Sequence, residues 1–206
     1  MHGNFKDIKF YKEETDYIAE TIQARMDQSG LTVYALNTYF LMGKETINRI
    51  LKKGKNFETK NYHIKKLLKT LDILGLSIDI VKSGGERTCD FKSFKASSMR
   101  QDRGYLKLYR EDTLRIAETI KAKLIKEGIS LQSLRKFHGF SPKQIRGVLK
   151  NTTKEEVKDY TIFSLLKIAR IAGLRVRIIE KEELIMRLEK EKSYKLISNE
   201  KDAEIS

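Results

Sequence analysis

The chain has 206 residues, 40% hydrophobic and 34% charged, which allows one or two packed domains with a highly charged surface. Its formal net charge of +14 favours a polyanionic partner, nucleic acid before an anionic membrane, although a solubilising surface charge is the plainer interpretation. The single cysteine, Cys89, excludes an internal disulfide. The sequence has no signal-peptide pattern and no apolar run near the roughly 18 residues of a membrane span. We therefore predict a cytoplasmic protein without a membrane partner.

An internal repeat organises the sequence. Residues 18–81 align with residues 116–179 at a shift of 98 positions without a gap, and about a third of the positions are identical. This similarity indicates a duplication. We predict a first repeat with a terminal strand over 1–82, a linker over 83–108, a second repeat with a terminal strand over 109–180, and a charged helical tail over 181–206. The linker contains Gly84-Gly85 and Ser97-Ser98, which disfavour regular structure.

Each repeat is predicted to begin with a long amphipathic helix. Apolar residues recur at helical spacing in both copies, and a glycine suited to a helix C-terminus follows, at Gly30 and at Gly128. The buried face is predicted to consist of Ile18, Ile22 and Met26 in the first repeat and of Ile116, Ile120 and Leu124 in the second.

Two short helices separated by a tight turn are predicted next. Thr32 and Ser130 are suited to cap the first of these helices. In the second repeat the following helix begins at Ser141-Pro142-Lys143-Gln144, which combines a capping serine, a proline at the first helical position and a glutamine at the third. The apolar residues of this helix are Ile47, Ile50 and Leu51 in the first repeat and Ile145, Val148 and Leu149 in the second.

A fourth helix and a strand complete each repeat. The helices are predicted to end at Gly75 and Gly173, and the segments LSIDIV and LRVRII then alternate apolar and polar residues, as strands do. Because a lone strand leaves its backbone unpaired, we expect the two strands to form an antiparallel ribbon. The symmetric registers place Asp79 opposite Arg175 or opposite Arg177. Pairing of each strand with its copy in a second chain, which would give a homodimer, is the alternative.

Two short helices across a tight turn, braced by flanking helices, make a helix-turn-helix. Residues 18–80 and 116–178 resemble the Xre/Cro/CI-type helix-turn-helix family, most clearly in SLQSLRKFHGFSPKQIRGVLKN with Gly139, Ser141 and Ile145. The terminal strand resembles HipB-type antitoxins and repressors. The resemblance implies a mainly α fold with two lambda-repressor-like domains, each ending in a short β-strand. Leu41 stands where the family has its turn glycine, so we expect a distorted turn in the first repeat.

The resemblance also predicts which residues contact DNA. The third helix of such a domain lies in the major groove, and its N-terminal residues meet base edges. Arg and Lys suit guanine, Asn and Gln suit adenine, and Glu accepts from cytosine. Gly147, the equivalent of Arg49, either permits a close backbone approach or is merely tolerated. The predicted base-reading residues are Lys44, Glu45, Asn48 and Arg49 in the first repeat and Lys143, Gln144 and Arg146 in the second.

Phosphate contacts are predicted around these helices. The capping positions Thr32 and Ser130 can add backbone N–H donors to the lysine contacts. For any single lysine, a solvated surface charge is the plainer interpretation. Because the second repeat has 16 basic and 8 acidic residues against 12 and 9 in the first, we expect it to hold phosphates more strongly. The lysines concerned are Lys52, Lys53, Lys55, Lys136, Lys150 and Lys154.

These patterns predict a sequence-specific regulator of transcription that binds double-stranded DNA, most simply a repressor associated with the nucleoid. One alternative is an antitoxin-like module that neutralises a toxin-like partner protein and represses its own gene. Another is a structural protein that binds nucleic acid without sequence preference. We expect no enzymatic activity, metal or cofactor, because the three histidines are scattered and the tyrosines are spaced like packing residues. The tyrosines concerned are Tyr11, Tyr17, Tyr34, Tyr39 and Tyr62.

Overall fold

The computed structural model describes residues 5–52, 61–84, 103–149 and 159–190. These residues form a mainly helical protein with a two-stranded antiparallel sheet. The first repeat contains α1 (Phe5–Ser29), α2 (Val33–Phe40), α3 (Lys44–Leu51), α4 (Ile64–Ile73) and β1 (Leu76–Lys82). The second repeat contains α5 (Arg103–Lys126), α6 (Leu131–His138), α7 (Pro142–Leu149), α8 (Ile162–Ile171) and β2 (Leu174–Glu180), and a last helix, α9, covers 181–190.

The long helices α1 and α5 bury the predicted apolar faces. Ile18 and Ile22 are inaccessible to solvent, as are their equivalents Ile116 and Ile120. A glycine with a left-handed backbone follows each helix, Gly30 with φ 67° and Gly128 with φ 68°. Helix α5 begins at Arg103, inside the predicted linker, because the glycine and serine pairs that disfavour a helix all precede that residue.

Strands β1 and β2 pair within one chain, as an antiparallel ribbon between the two repeats. Asp79 lies opposite Arg177 and Ile78 opposite Ile178, so the ribbon is confirmed and the register with Asp79 opposite Arg175 is wrong. Arg175 instead reaches helix α1, where its Nε donates to Glu14 Oε1 at 2.7 Å. The ribbon therefore contributes ion pairs to a helix as well as between its strands.

The polar face of the ribbon is covered rather than exposed. The exposed fraction of Asp79 is 5% and that of Ser77 is 3%. Helix α9 lies against Asp79, because Arg187 donates to both of its carboxylate oxygens, at 2.7 and 2.9 Å. Helix α5 lies against Ser77, whose hydroxyl donates to Asp112 Oδ1 at 3.2 Å. The first ten residues of the tail thus form part of the folded unit; residues 191–206 lie outside the described ranges.

The two repeats share one buried core. Helix α1 packs against β2 and α8 of the second repeat, and α5 packs against β1 and α4 of the first. One hydrophobic cluster accordingly contains residues of both repeats. The backbone contacts are reciprocal: Ile64 N–H donates to Tyr160 O at 2.8 Å, and Ile162 N–H donates to Tyr62 O at 2.9 Å. The copies are therefore related by a pseudo-twofold axis.

The turns between the two short helices are alike in both repeats. Leu41 has φ 51° and ψ 38°, close to the 65° and 29° of its equivalent, Gly139. The expected distortion of the first turn is therefore wrong. The helices on either side hold Leu41 in this left-handed conformation, and its side chain is 83% exposed. The side-chain amide of Asn37 donates to Met42 O at 2.7 Å and supports the same turn.

Substitutions in these turns should have opposite effects on stability. A left-handed backbone costs a residue with a Cβ roughly 1–2 kcal/mol, so Gly139→Leu should lower the free energy of unfolding by about that amount. A Cβ at position 139 would meet no atom within 4 Å, which leaves backbone strain as the cause. Leu41→Gly should raise the free energy by about 0.5–1 kcal/mol, because the entropy of glycine in the unfolded chain offsets part of the gain. Urea unfolding measures both, and a destabilising Leu41→Gly would contradict this account.

Candidate nucleic-acid interface

The first of the two short helices is capped as predicted in each repeat. Thr32 Oγ1 accepts from Ala35 N–H at 3.1 Å, and Ser130 Oγ accepts from Ser133 N–H at 3.0 Å. Both capping residues are exposed. The N-terminal turns of α2 and α6 therefore begin at the protein surface, where a phosphate can approach a helix N-terminus.

Helix α7 begins with the predicted capping box. Ser141 Oγ accepts from Gln144 N–H at 3.2 Å, while Gln144 Oε1 accepts from Ser141 N–H at 2.9 Å. The oxygen of the Gln144 amide thus stabilises the helix, and its amide nitrogen is the atom that can donate to a ligand. In the first repeat the equivalent of Ser141 is Gly43, which provides no side-chain cap for α3.

Helices α3 and α7 each have an apolar face that packs inside the protein and a polar face that is exposed. Ile47 and Ile50 are buried in α3, and Ile145, Val148 and Leu149 are buried in α7, whereas Leu51 is only partly buried. These inner residues leave the rest of each short helix facing solvent. All the predicted base-reading residues are exposed: Lys44, Glu45, Asn48, Arg49, Lys143, Gln144 and Arg146.

Gly147 permits close packing within the protein. A Cβ at this position would lie 3.3 Å from Tyr160 Cβ, closer than a comfortable contact. Of the interpretations that the sequence left open, the structure thus favours a close approach between α7 and the segment that precedes α8. Arg49, at the equivalent position of α3, is exposed.

The predicted phosphate contacts are described only in part. Lys52 and Lys136 are exposed, and Lys136 Nζ lies 5.4 Å from the centroid of the Phe137 ring. The structure therefore places these two lysines at the surface beside the short helices. The other four predicted lysines, Lys53, Lys55, Lys150 and Lys154, lie outside the described residues.

Exposed apolar side chains at α2 and α6 were missed by the sequence analysis. Tyr34 and Tyr39 were predicted to pack inside, but their exposed fractions are 72% and 57%. The reason is that α2 is short and buries only Leu36 completely. Phe137, the equivalent of Tyr39, is also exposed. Tyr34 lies two positions before Leu36 and therefore on the opposite side of the helix, which was the signal that could have identified it. Tyr39 and Phe137 lie three positions after Leu36 and Leu134, so helical spacing gave no such signal for them.

A buried charge cluster lies where the two repeats meet. Arg177 donates to Asp79 Oδ2 at 2.9 Å, Arg187 binds both oxygens, and Arg115 Nη1 lies 3.8 Å from Oδ1. Burial by itself raises the pKa of the Asp79 carboxyl, but the hydrogen bonds and charges of Arg187 and Arg177 outweigh burial and hold that pKa below its ordinary value. Asp79 therefore stays ionised and joins β1 to β2 and α9.

Two tyrosines at equivalent positions of the repeats are buried. Tyr62 and Tyr160 precede α4 and α8, and both are almost fully buried. Burial raises the pKa of both hydroxyl groups well above the ordinary value for tyrosine, so each stays neutral. They act in packing and provide no charged group for a ligand.

The described residues contain no other evident site. Within the described ranges, no three side chains of His, Cys, Asp or Glu are grouped so that they could hold a metal ion. None of the helices described has the length and apolar character needed to cross a membrane. The exposed faces of α3 and α7 are therefore the strongest candidate for a binding surface.

Comparison of the chain with protein-family models, with curated proteins and with solved structures finds no match. Membership of the Xre/Cro/CI-type family stays a prediction from the residues. The two short helices in each repeat provide the geometry and chemistry from which a function can be inferred.

Proposed function

We propose that this protein is a sequence-specific, double-stranded DNA-binding regulator of transcription that reads bases with α3 and α7. The observation that supports the proposal most strongly is that both helices follow a capped short helix and a left-handed turn, and both expose polar faces at equivalent places. A helix-turn-helix has this construction, and its second helix enters the major groove.

The exposed side chains suit contacts to base edges. On α3, Lys44 and Arg49 are donors that suit guanine, Asn48 suits adenine, and Glu45 can accept from cytosine. On α7, Lys143 and Arg146 are donors. This mixture of donors and acceptors distinguishes base pairs in the major groove, whereas a uniformly basic face would bind phosphates without reading sequence.

The surrounding charge suits the phosphate backbone. The net charge of +14 gives long-range attraction to DNA, and Lys52 and Lys136 are exposed next to the short helices. A protein that occupies a promoter in this way blocks access to it, so repression by occlusion is the simplest form of regulation.

Two variants separate base reading from phosphate binding. Arg49→Ala should change which base is preferred at one position and weaken binding to the best site by about 1–3 kcal/mol. Lys52→Ala should weaken binding to all duplexes alike and lower the slope of log K against log salt by about one unit. Fluorescence anisotropy titrations at several salt concentrations, with single base-pair changes in the duplex, measure both effects.

Each alternative function predicts a different result in the same titrations. Equal affinity of the wild-type chain for all duplexes, with a steep salt dependence, would support a nucleic-acid binder without sequence preference. Absence of binding to any duplex would favour a protein-interaction module of the antitoxin kind. Unchanged affinity and base preference in Arg49→Ala would show that α3 does not read bases through that residue.

A further inference from the structure

We infer that one copy of this chain recognises an asymmetric DNA site made of two unlike half-sites, one read by α3 and the other by α7. The inference rests on the proposed function and specifies the class of DNA that the protein binds. It follows from the pseudo-twofold axis, from the charges that lie on that axis, and from the way in which the two repeats differ.

The axis can be located from residues that face their own equivalents. Asp79 lies opposite Arg177 in the ribbon, and His63 forms a β-bridge with Thr161. The two residues of each pair occupy the same position in the two repeats. Around them the contacts are reciprocal, since Ser83 N–H donates to Gly173 O at 3.0 Å and Lys181 N–H donates to Gly75 O at 2.9 Å. The axis therefore passes through the ribbon and between the starts of α4 and α8.

This symmetry fixes how α3 and α7 are presented. A twofold rotation leaves the height of a point along its axis unchanged, and it preserves the component of any direction along that axis. The exposed faces of α3 and α7 thus have the same height and the same tilt along the axis. Two such helices can meet one side of a duplex, as the paired recognition helices of dimeric helix-turn-helix proteins do at successive turns of the major groove.

The residues on the axis favour pairing of unlike repeats. Asp79 and Arg177 lie 2.9 Å apart as opposite charges. If two first repeats paired, Asp79 would face another Asp79, and two second repeats would bring Arg177 against Arg177; like charges directly opposite each other are destabilising. His63 Nδ1 likewise lies 2.9 Å from Asp159 Oδ2 of the other repeat. Unlike repeats therefore pair, as β1 and β2 of one chain do in the structure.

The two repeats differ at the proposed reading faces. The inner residues of α3 and α7 keep their character, as Ile47 and Ile145 do. The remaining residues of the two helices differ at all five positions, which pair Lys44 with Pro142, Glu45 with Lys143, Thr46 with Gln144, Asn48 with Arg146 and Arg49 with Gly147. Other exposed positions differ as well, such as Gln28 and Lys126, so the reading faces have diverged together with the surrounding surface.

The differences predict different bases in the two half-sites. Helix α3 offers an acceptor, Glu45, which suits cytosine, together with Asn48, which suits adenine. Helix α7 offers the donors Lys143 and Arg146, which suit guanine, and its equivalent of Arg49 has no side chain to reach a base. A palindromic site would present the same base edges to both helices and would satisfy only one of them.

Selection of duplexes from a random pool, with the full chain as the selecting protein, tests the inference. We expect an enriched site with two unlike half-sites whose centres are about 10 base pairs apart. Selections with Arg49→Ala and Arg146→Ala should each lose base preference in one half-site, and in different halves, with binding weakened about tenfold or more. Both residues are exposed, and thermal melts by circular dichroism should match the wild type. Native mass spectrometry should find one chain on each duplex.

The possible outcomes separate this inference from the proposed function. A palindromic enriched site, or two chains on one site, would overturn the inference and leave a sequence-specific regulator standing. Loss of preference in the same half-site for both variants would also overturn it, because it assigns one half to each repeat. Failure to enrich any sequence would overturn the proposed function and the inference together.

Discussion

Ile78→Asp lowers the free energy of unfolding by more than about 4 kcal/mol. Ile78 is inaccessible to solvent and lies opposite Ile178 at the centre of the ribbon, in the core that both repeats share. The substitution removes a buried apolar side chain and places a carboxylate in that apolar core. Such values are rare for single substitutions and typically follow from a buried unpaired charge. Chemical unfolding followed by circular dichroism measures the loss.

A conservative control separates the buried charge from the altered packing. Ile78→Val keeps the β-branched shape and should cost only about 0.5–1.5 kcal/mol. Because both repeats contribute to this core, the aspartate variant should lose the structure of α4 and α8 in a single transition. A variant that unfolds the first repeat alone, and leaves the second at wild-type stability, would show that the two cores are independent.

Asp79→Ala has the second largest expected effect, a loss of about 3 kcal/mol. The carboxylate joins Arg177 of β2 to Arg187 of α9, and its removal takes these ion pairs from two partly buried guanidinium groups. Breaking a buried pair by removing one member costs about 3–5 kcal/mol, and we expect the lower end because both arginines keep some contact with water. Thermal unfolding at neutral pH measures the loss, which should include release of α9 from the ribbon.

The dependence on pH provides a further check on Asp79. The pKa of its carboxyl is held below the ordinary value in the folded protein, so its stabilising contribution is complete above the unfolded pKa of about 3.9 and is lost as the pH falls through the folded value. The difference in stability between the wild type and Asp79→Asn should therefore be constant near neutral pH and shrink below about pH 4. A difference that grows on acidification would contradict the assigned ion pairs.

Local patterns in the sequence predicted the order of elements well. The caps at Thr32, Ser130 and Ser141 and the helix ends at Gly30 and Gly128 are signals carried by neighbouring residues, and the structure contains all of them. The ribbon could be predicted because two alternating segments in a duplicated chain each need a partner. The outward positions of the proposed base-reading residues followed from the same apolar periodicity.

Contacts between distant segments were harder to predict. Packing of α1 against β2, and of Arg187 against Asp79, joins residues more than 100 positions apart, and no local pattern indicates such contacts. The two possible registers differed in whether Arg175 or Arg177 faces Asp79. The sequence did not reveal that Arg175 binds Glu14 on α1 instead. The turn at Leu41 was predicted wrongly because one unfavourable residue was given more weight than the helices on either side, which impose the backbone conformation.

Footprinting of the full chain with hydroxyl radicals, on the duplex that it binds most tightly, tests the central claim that two symmetry-related helices read one DNA molecule. We predict two protected segments on one side of the duplex, about one helical turn apart. Arg49→Ala should weaken protection around one half-site while the other keeps its pattern. A single protected segment, or even protection along the whole duplex, would contradict the claim.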